Sequence, residues 1–340
     1  MGHAIIVGAG VAGLASAIAL RRIGWTVQMQ DRAAGLPEGG TALGMWPEAM
    51  RALDRLGVGD RIRSEATLSR GARILDPRGD VIGRVPQSRR AHLISRGRLL
   101  SALMSQLSDG DVRWSDPLDL DDTLPDADLV VGADGIHSGV RSRVWSTAAE
   151  RPLGTVAFRG IVDLPVASVT ETWGRGALFG ITPTDDGRTN WFACVRRERL
   201  GGARNDPLTD LRAVFGTWHA GIVDVLDHLE YDDIDRRDLS DVSFRHPYVQ
   251  GRVALVGDAA HAMAPNLGRG ACESLLDAVA LADAIEGRRD VSAGLARYDR
   301  ERRARTRRTV TAARIINRVA TTDRATGLRD RAMILLSSRR

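Results

Sequence analysis

The chain has 340 residues, of which 43% are hydrophobic and 27% charged, with a net charge of +5. That length and balance predict a globular protein with room for two domains, not a disordered or fibrous chain. Apolar stretches break at glycine or charge before the ~18 residues of a membrane-spanning helix, and two cysteines, Cys194 and Cys272, offer neither a disulfide framework nor metal-ligand spacing. The opening MGHAIIVGAG has no basic region ahead of its apolar run, so it reads as the start of a fold motif and not a signal peptide. A reducing cytoplasm is the expected compartment, with no stable membrane insertion. All 48 basic residues are Arg, which excludes chemistry that needs a lysine amine.

The first element is HAIIVGAGVAGLASAIALRRIGWTVQMQDR, residues 3–32. Ala4 to Val7 suits a buried parallel strand, and Gly8, Gly10 and Gly13 lead into a helix that Gly24 ends. Gly8 allows a tight turn, Gly10 lets backbone approach a pyrophosphate, and Gly13 lets helix pack on strand. A strand then runs from Thr26 to Gln30 and ends at Asp31, 18 residues beyond Gly13, where a carboxylate can accept ribose hydroxyls. This is a dinucleotide site that does not by itself choose between NAD and FAD.

RILDPRGDVIGRVP, residues 73–86, predicts a hairpin turning at Pro77 to Asp80. In DADLVVGADGIHSGVRSRV, residues 126–144, a buried strand ends at Gly132-Ala133-Asp134-Gly135, with Ser138 and Arg141 at a helix start. Alternating strands follow in TVAFRGIV, GALFGITP and TNWFACVRR between residues 153 and 197, then one helix over roughly 207–229. Phe158, Phe179, Trp191 and Phe192 are candidates for an aromatic-binding pocket, with ordinary sheet core as the competing fate. The strand Val253–Val256 runs into GDAAHAMAPNLGRG at 257–270 and a further helix. Asp134 and Asp258 have a second reading as helix N-caps. His261 beside this loop reads as structural more readily than catalytic; His219, His228 and His246 find no place, and no catalytic side chain is assigned.

Residues 288–340 hold 16 Arg against 5 acids, a local +11, so the remaining 287 residues sum to −6. Such a tail can bind nucleic acid, but Tyr298, Val310, Ala313, Ile316 and Val319 share a helical face, which favours packing. No recognition module accompanies the charge, so no nucleic-acid partner is expected.

Three strand-glycine-helix units exceed what one NAD site needs. GAGVAG at 8–13, GADGIHSGVR at 132–141 and GDAAHAMAPNLGRG at 257–270 together resemble the single-component (class A) FAD-dependent aromatic hydroxylases, the para-hydroxybenzoate hydroxylase-like family. HLISRGRLLSAL, residues 92–103, is a weaker match that sets Arg96 at the family's flavin-contacting arginine. The resemblance spans about residues 3 to 285 and implies an α/β fold, with a Rossmann-like FAD-binding domain interleaved with a smaller antiparallel substrate sheet and a helical C-terminus. The FAD domain would comprise 1–72, 91–152 and 247–290, the substrate domain 73–90 and 153–246, and the Arg-rich helices 291–340.

By the same resemblance the ADP half of FAD lies on Gly8, Gly10, Val11, Ala12 and Gly13, with Asp31 and Arg32 at the ribose and Leu118 on the adenine side. Asp134 and Gly135 serve FAD and the passage of NADPH or NADH. Gly257 and Asp258 meet the ribityl chain, while Pro265, Gly268, Arg269, Gly270 and Ala271 present backbone N–H groups to the flavin's pyrimidine edge, where a helix N-terminus stabilises negative charge. Arg269 stands where Gln is common in relatives and brings a full charge for the pyrophosphate, the nicotinamide cofactor or solvent. The implied activity is monooxygenation: NAD(P)H reduces FAD, O2 gives a flavin C4a-hydroperoxide, and one oxygen passes to a small aromatic or conjugated molecule. The rivals are a same-fold reductase or epoxidase and, from another class, a basic nucleotide-binding regulator. Halogenation needs a lysine that this chain lacks. Substrate identity, NADH against NADPH, and oligomeric state are not legible.

Overall fold

The structure is a computed structural model that describes residues 2–37, 41–69, 71–85, 90–108, 110–117, 124–145, 150–201, 206–242 and 246–337. Strand His3–Val7 pairs in parallel with Thr26–Gln30 on one side and with Leu129–Gly132 on the other. Val253–Leu255 adds in parallel to Leu129–Gly132, and the short Val112–Arg113 and Val249–Gln250 finish the edges of a six-stranded sheet. Buried on both faces, the central strands carry apolar runs in place of alternation, as parallel sheets require. The register decides where the site lies. Val7 is level with Gly132, and Gly132 with Leu255, so the three glycine turns open side by side at the carboxyl ends of adjacent strands.

The second sheet has seven strands in the order Asp235–Val242, Glu150–Val162, Thr189–Arg196, Ala177–Pro183, Val169–Trp173, Ala72–Leu75 and Val81–Val85. It is the expected antiparallel sheet save for one pair. Val169–Trp173 and Ala72–Leu75 pair in parallel, because the early hairpin joins a sheet otherwise made by a later stretch of chain. That hairpin turns as expected, the Asp76 N–H bonding the Asp80 carbonyl and the Gly79 N–H the Asp76 carbonyl, each at 2.9 Å. A third sheet, Ala42–Met45 with His92–Ser95 and Thr67–Leu68, had no clear sequence signal and bridges the other two.

The helix expected over 207–229 is two helices, Pro207–Phe215 and Ala220–Asp227. Gly216 ends the first, and Trp218 turns edge-on to Phe215 while the His219 N–H bonds the Pro77 carbonyl at 2.8 Å. These two helices cover one face of the large sheet, where Phe179 stacks on Trp191 with centroids 5.7 Å apart and Phe215 meets Phe179 edge-on. Phe158, Phe179 and Trp191 are therefore core beneath these helices, not pocket lining; Phe192 lies on the opposite face.

The Arg-rich end forms a long helix, Val291–Ala320, and a shorter one, Thr326–Ser337. Tyr298, Val310 and Ala313 are buried along it as the periodicity suggests, Ile316 is partly buried, and Val319 is exposed. The Tyr298 hydroxyl donates to the Leu255 carbonyl at 2.8 Å, so this helix is clamped onto the parallel sheet. Among the described residues no helix is long and apolar enough to cross a membrane.

Candidate flavin site

The site is built where the three strand ends meet. Gly8 turns with φ +104°, and a Cβ there would lie 2.5 Å from the Ala133 carbonyl, so the first motif backs directly onto the second. Gly13 is tighter still: a Cβ would stand 1.8 Å from the Gly8 carbonyl oxygen. Gly257, with φ +58° and ψ −140°, sits between the first turns of two helices, where a Cβ would be 2.8 Å from both Ala12 and Ser274. Only glycine tolerates these positions.

Gly10 differs. Nothing lies within 4 Å of where its Cβ would be. The protein itself gives no reason for glycine there, whereas a phosphate resting on the helix would. Helix Val11–Arg22 starts behind Gly10 with no side-chain cap, and Val11 and Ala12 form its first turn. Helix Gly270–Ile285 is also uncapped by any side chain. Two long helices thus offer free N–H groups and positive dipole ends at one cleft, which is what a pyrophosphate and an anionic ring edge require.

Asp31 ends its strand as expected and accepts from the Ala9 N–H at 2.6 Å and the Ala33 N–H at 2.8 Å. It braces the glycine loop, and Arg32 beside it is exposed. Asp134 is not the N-cap of helix Gly139–Val144: Ser138 is, its hydroxyl accepting from the Arg141 N–H, and Asp134 supports that cap by accepting from the Ser138 hydroxyl at 2.5 Å and the Val140 N–H at 3.1 Å. Gly135 is left-handed, with open space over it. Arg141, buried, reaches from this motif to the Ala259 carbonyl at 2.9 Å and staples the second motif to the third.

Asp258 caps nothing through its side chain. Protein surrounds it, yet its side chain is exposed, which places it at the floor of a cleft; burial pushes its carboxyl above the ordinary carboxylate range, with His261 and Arg96 opposing. Arg96 opens helix Arg96–Met104 and faces Asp258 closely enough to act on it, and a Cβ on Gly270 would be 3.8 Å from Asp258 Oδ1. Arg96, Asp258 and the Gly270 helix end are therefore one constellation. Pro265 is exposed at the lip, Gly268 turns left-handed at φ +58°, and Ala271 is half-buried in the first helical turn. Leu118 lies outside the described residues.

Arg269 is not a free charge over the cleft. It pairs with Glu48 and, at 2.9 Å, with Glu273. A cavity of about 540 Å³ behind it, lined by Glu48, Arg51, Arg55, Glu273 and Arg302 among others, is a groove between helices and not the cleft that holds Asp258.

Sequence reasoning missed the support underneath. Asp277 Oδ2 accepts both the Gly257 N–H at 2.8 Å and His261 Nε2 at 2.5 Å, and its Oδ1 accepts from Arg302 Nε at 2.6 Å. Arg302 also bonds Glu273 at 2.7 Å. Burial disfavours every charge in this chain of pairs, but mutual attraction prevails: His261 is raised, Asp277 lowered and Arg302 raised. His261 is structural, and one of the tail's arginines is buried as a brace for the Gly257 turn. Asn266, in the turn Pro265–Leu267, leaves both amide atoms buried without a partner, a cost that a ligand with polar edges would relieve.

Residues 2–110 and 121–313 match the family described as FAD binding domain. The chain belongs to this family. It is 33% identical over 318 residues to the aurachin C monooxygenase/isomerase of Stigmatella aurantiaca, covering 86% of this chain and 83% of that protein. It is likewise 33% identical over 318 residues to the 3-amino-4-hydroxybenzoate 2-monooxygenase of Streptomyces cremeus, covering 83% and 78%. The crystal structure of Klebsiella pneumoniae HpxO complexed with FAD and uric acid superposes with a TM-score of 0.87 at 26% identity, over 99% of this chain and 92% of that one. The family, the relatives and the open Gly10 cradle agree: this is an FAD-dependent monooxygenase of the class A fold.

Proposed function

We propose that this protein hydroxylates a small aromatic or conjugated molecule with NAD(P)H and O2, on an FAD held by the segments 1–72, 91–152 and 247–290. The observation that supports it most is the in-register meeting of three glycine turns around an open Gly10 and an upturned Asp258. Bound FAD would supply the hydride acceptance and oxygen activation that side chains lack.

The chain's own residues do the rest. The N–H groups opening helix Val11–Arg22 hold the pyrophosphate, and Asp31 keeps the glycine loop in shape beside the ribose. Asp258 accepts the ribityl hydroxyls, with His261 and Arg96 opposing the effect of burial on its carboxyl. The first turn of helix Gly270–Ile285 places a positive end beside the pyrimidine edge, where reduction deposits charge. Asn266 offers the amide donor and acceptor nearest that edge. The seven-stranded sheet roofs the cleft and keeps water from it.

An absorption spectrum of the purified protein, followed by NADH or NADPH additions with and without O2, tests this. A yellow protein that the nicotinamide bleaches, faster when an aromatic is present, supports the reading. A colourless protein that takes up no added FAD overturns it. Full turnover without O2 would make it a reductase instead.

A further inference from the structure

This inference rests on the monooxygenase reading and concerns which substrate group the site holds. One face of the seven-stranded sheet turns toward the flavin cleft. Asn190 Oδ1 on that face accepts the Ala42 N–H at 3.1 Å, and the strand Ala42–Met45 is tied in turn to the first turn of helix Gly270–Ile285 by Cys272 Sγ, which donates to the Gly44 carbonyl at 3.2 Å.

One residue pair further along the same face, the register sets Phe192 opposite Gly180, Gly180 opposite Glu171, and Glu171 opposite Ile74. Gly180 is a notch: a Cβ there would lie 2.1 Å from the Phe192 ring, which therefore lies over the strand in the direction of Glu171. The next row, Cys194, Leu178 and Trp173, is fully packed beneath Ala320 with Ile316 and Met333 of the C-terminal helices. Phe192 and Ile74 are half-buried against that same cluster, and Glu171 between them is half-buried although protein surrounds it, which leaves its carboxyl in a hollow that solvent reaches.

Glu171 is the anomaly in this hollow. Its Oε1 accepts from Trp173 Nε1 at 2.5 Å. In a chain with 48 arginines, no cation pairs with it among the described residues. Burial pushes its carboxyl up to about 7, the Trp173 bond opposing. The other polar and charged groups around it are engaged elsewhere. Cys194 is pushed up to about 12, Arg159 at the far end of the row is paired with Asp235, and Arg329 of the last helix lies over the Trp173 ring while bonding the Trp173 and Gly174 carbonyls. A carboxyl held in an apolar hollow, with one oxygen left to water, is open to a ligand that brings a donor to it.

We propose that Glu171 is the polar anchor of the substrate cavity. Its free oxygen accepts a hydrogen bond from a ring N–H or phenolic O–H of a neutral, otherwise apolar aromatic whose plane stacks beside Phe192 over the Gly180 notch. A substrate carboxylate would be repelled, so the site selects against anionic aromatics. Glu171 positions the ring; it is not the group that reacts.

The probes are 4-quinolone, a neutral fused aromatic with one N–H, and N-methyl-4-quinolone, which lacks it. Each is titrated into the FAD-loaded full-length protein while the flavin absorption band is followed. The native enzyme should bind 4-quinolone at least tenfold more tightly than its N-methyl analogue, with an affinity that changes around pH 7. Glu171→Leu should abolish the preference by weakening 4-quinolone alone. Glu171→Gln, near-isosteric and still an acceptor, should keep much of the preference and lose the pH dependence. FAD content reports folding in each variant. A native enzyme without the preference, or perturbed by neither probe, overturns the proposal, as does a Glu171→Leu variant that retains the preference. Failure of the native chain to take up FAD would overturn the monooxygenase reading instead.

Discussion

The two large sheets use glycine in opposite ways. In the parallel sheet Gly8, Gly13 and Gly257 stand at strand ends, where backbone must pass close to backbone or bend as no other residue allows. In the mixed sheet Gly180 lies inside a strand and the space it leaves is taken by the Phe192 ring, while Gly160 admits the Asp233 carbonyl with the Trp191 ring beside it. The first kind shapes the cleft where three strand ends meet, and the second makes room for side chains within the sheet. On the proposed reading, cofactor binding rests on backbone and substrate choice on side chains.

The sharpest break of that comparison is at Gly13. Gly13→Ala meets the Gly8 carbonyl and should cost at least about 3 kcal/mol with loss of FAD, read by melting and by flavin content. Gly10→Ala meets nothing and should leave the melting temperature of the FAD-free protein unchanged while weakening FAD tenfold or more. Equal damage to stability from both would refute the assignment of Gly10 to the ligand.

Next in size is the buried brace. Arg302→Leu leaves Asp277 with only His261 and Glu273 with only Arg269 as cationic partners and should cost about 3 kcal/mol, with flavin lost because the Gly257 turn loosens. The same brace predicts a pH dependence. His261 is raised above its ordinary 6.5, so the stability it contributes is complete below that value and is lost as pH rises through the folded one. Thermal melts from pH 6 to 9 should fall in the native protein and flatten in His261→Gln.

Glu171 carries the opposite sign. An acid raised from 4.5 to about 7 holds its proton better when folded, so it lowers stability progressively across that interval. Glu171→Gln should remove a penalty of up to about 2 kcal/mol at pH 8 and raise the melting temperature there, as a residue kept for binding would. A lower melting temperature would make it a structural residue. The smallest effect is at Arg269, half-exposed between two glutamates: Arg269→Gln should cost about 1 kcal/mol or less and leave flavin content unchanged.

The cofactor half was legible because its signals are local. GAGVAG, GADG and GDAAH each pair a buried strand with a glycine that the turn itself requires, so the motifs located the cleft before any contact was known. The N-cap reading of Asp134 fell one step short, since Ser138 caps the helix and Asp134, four residues earlier, holds Ser138 in place. Arg269 misled, because a cation beside a phosphate loop looks free until Glu48, 221 residues earlier in the chain, comes to meet it.

By itself, then, the sequence determined a dinucleotide-type glycine turn, two further strand-glycine turns and the face along which the Arg-rich helix packs, all from spacings of a few residues, while FAD as the cofactor came from the resemblance of those motifs to a family. Tertiary structure alone decided that these turns lie in register, that Arg302 is a buried brace, that Phe158, Phe179 and Trp191 are core, and that Glu171 faces a hollow. Those facts depend on pairings across tens to hundreds of residues, and a carboxyl reads the same in a linear chain whether it ends in water, in an ion pair or in a substrate cavity.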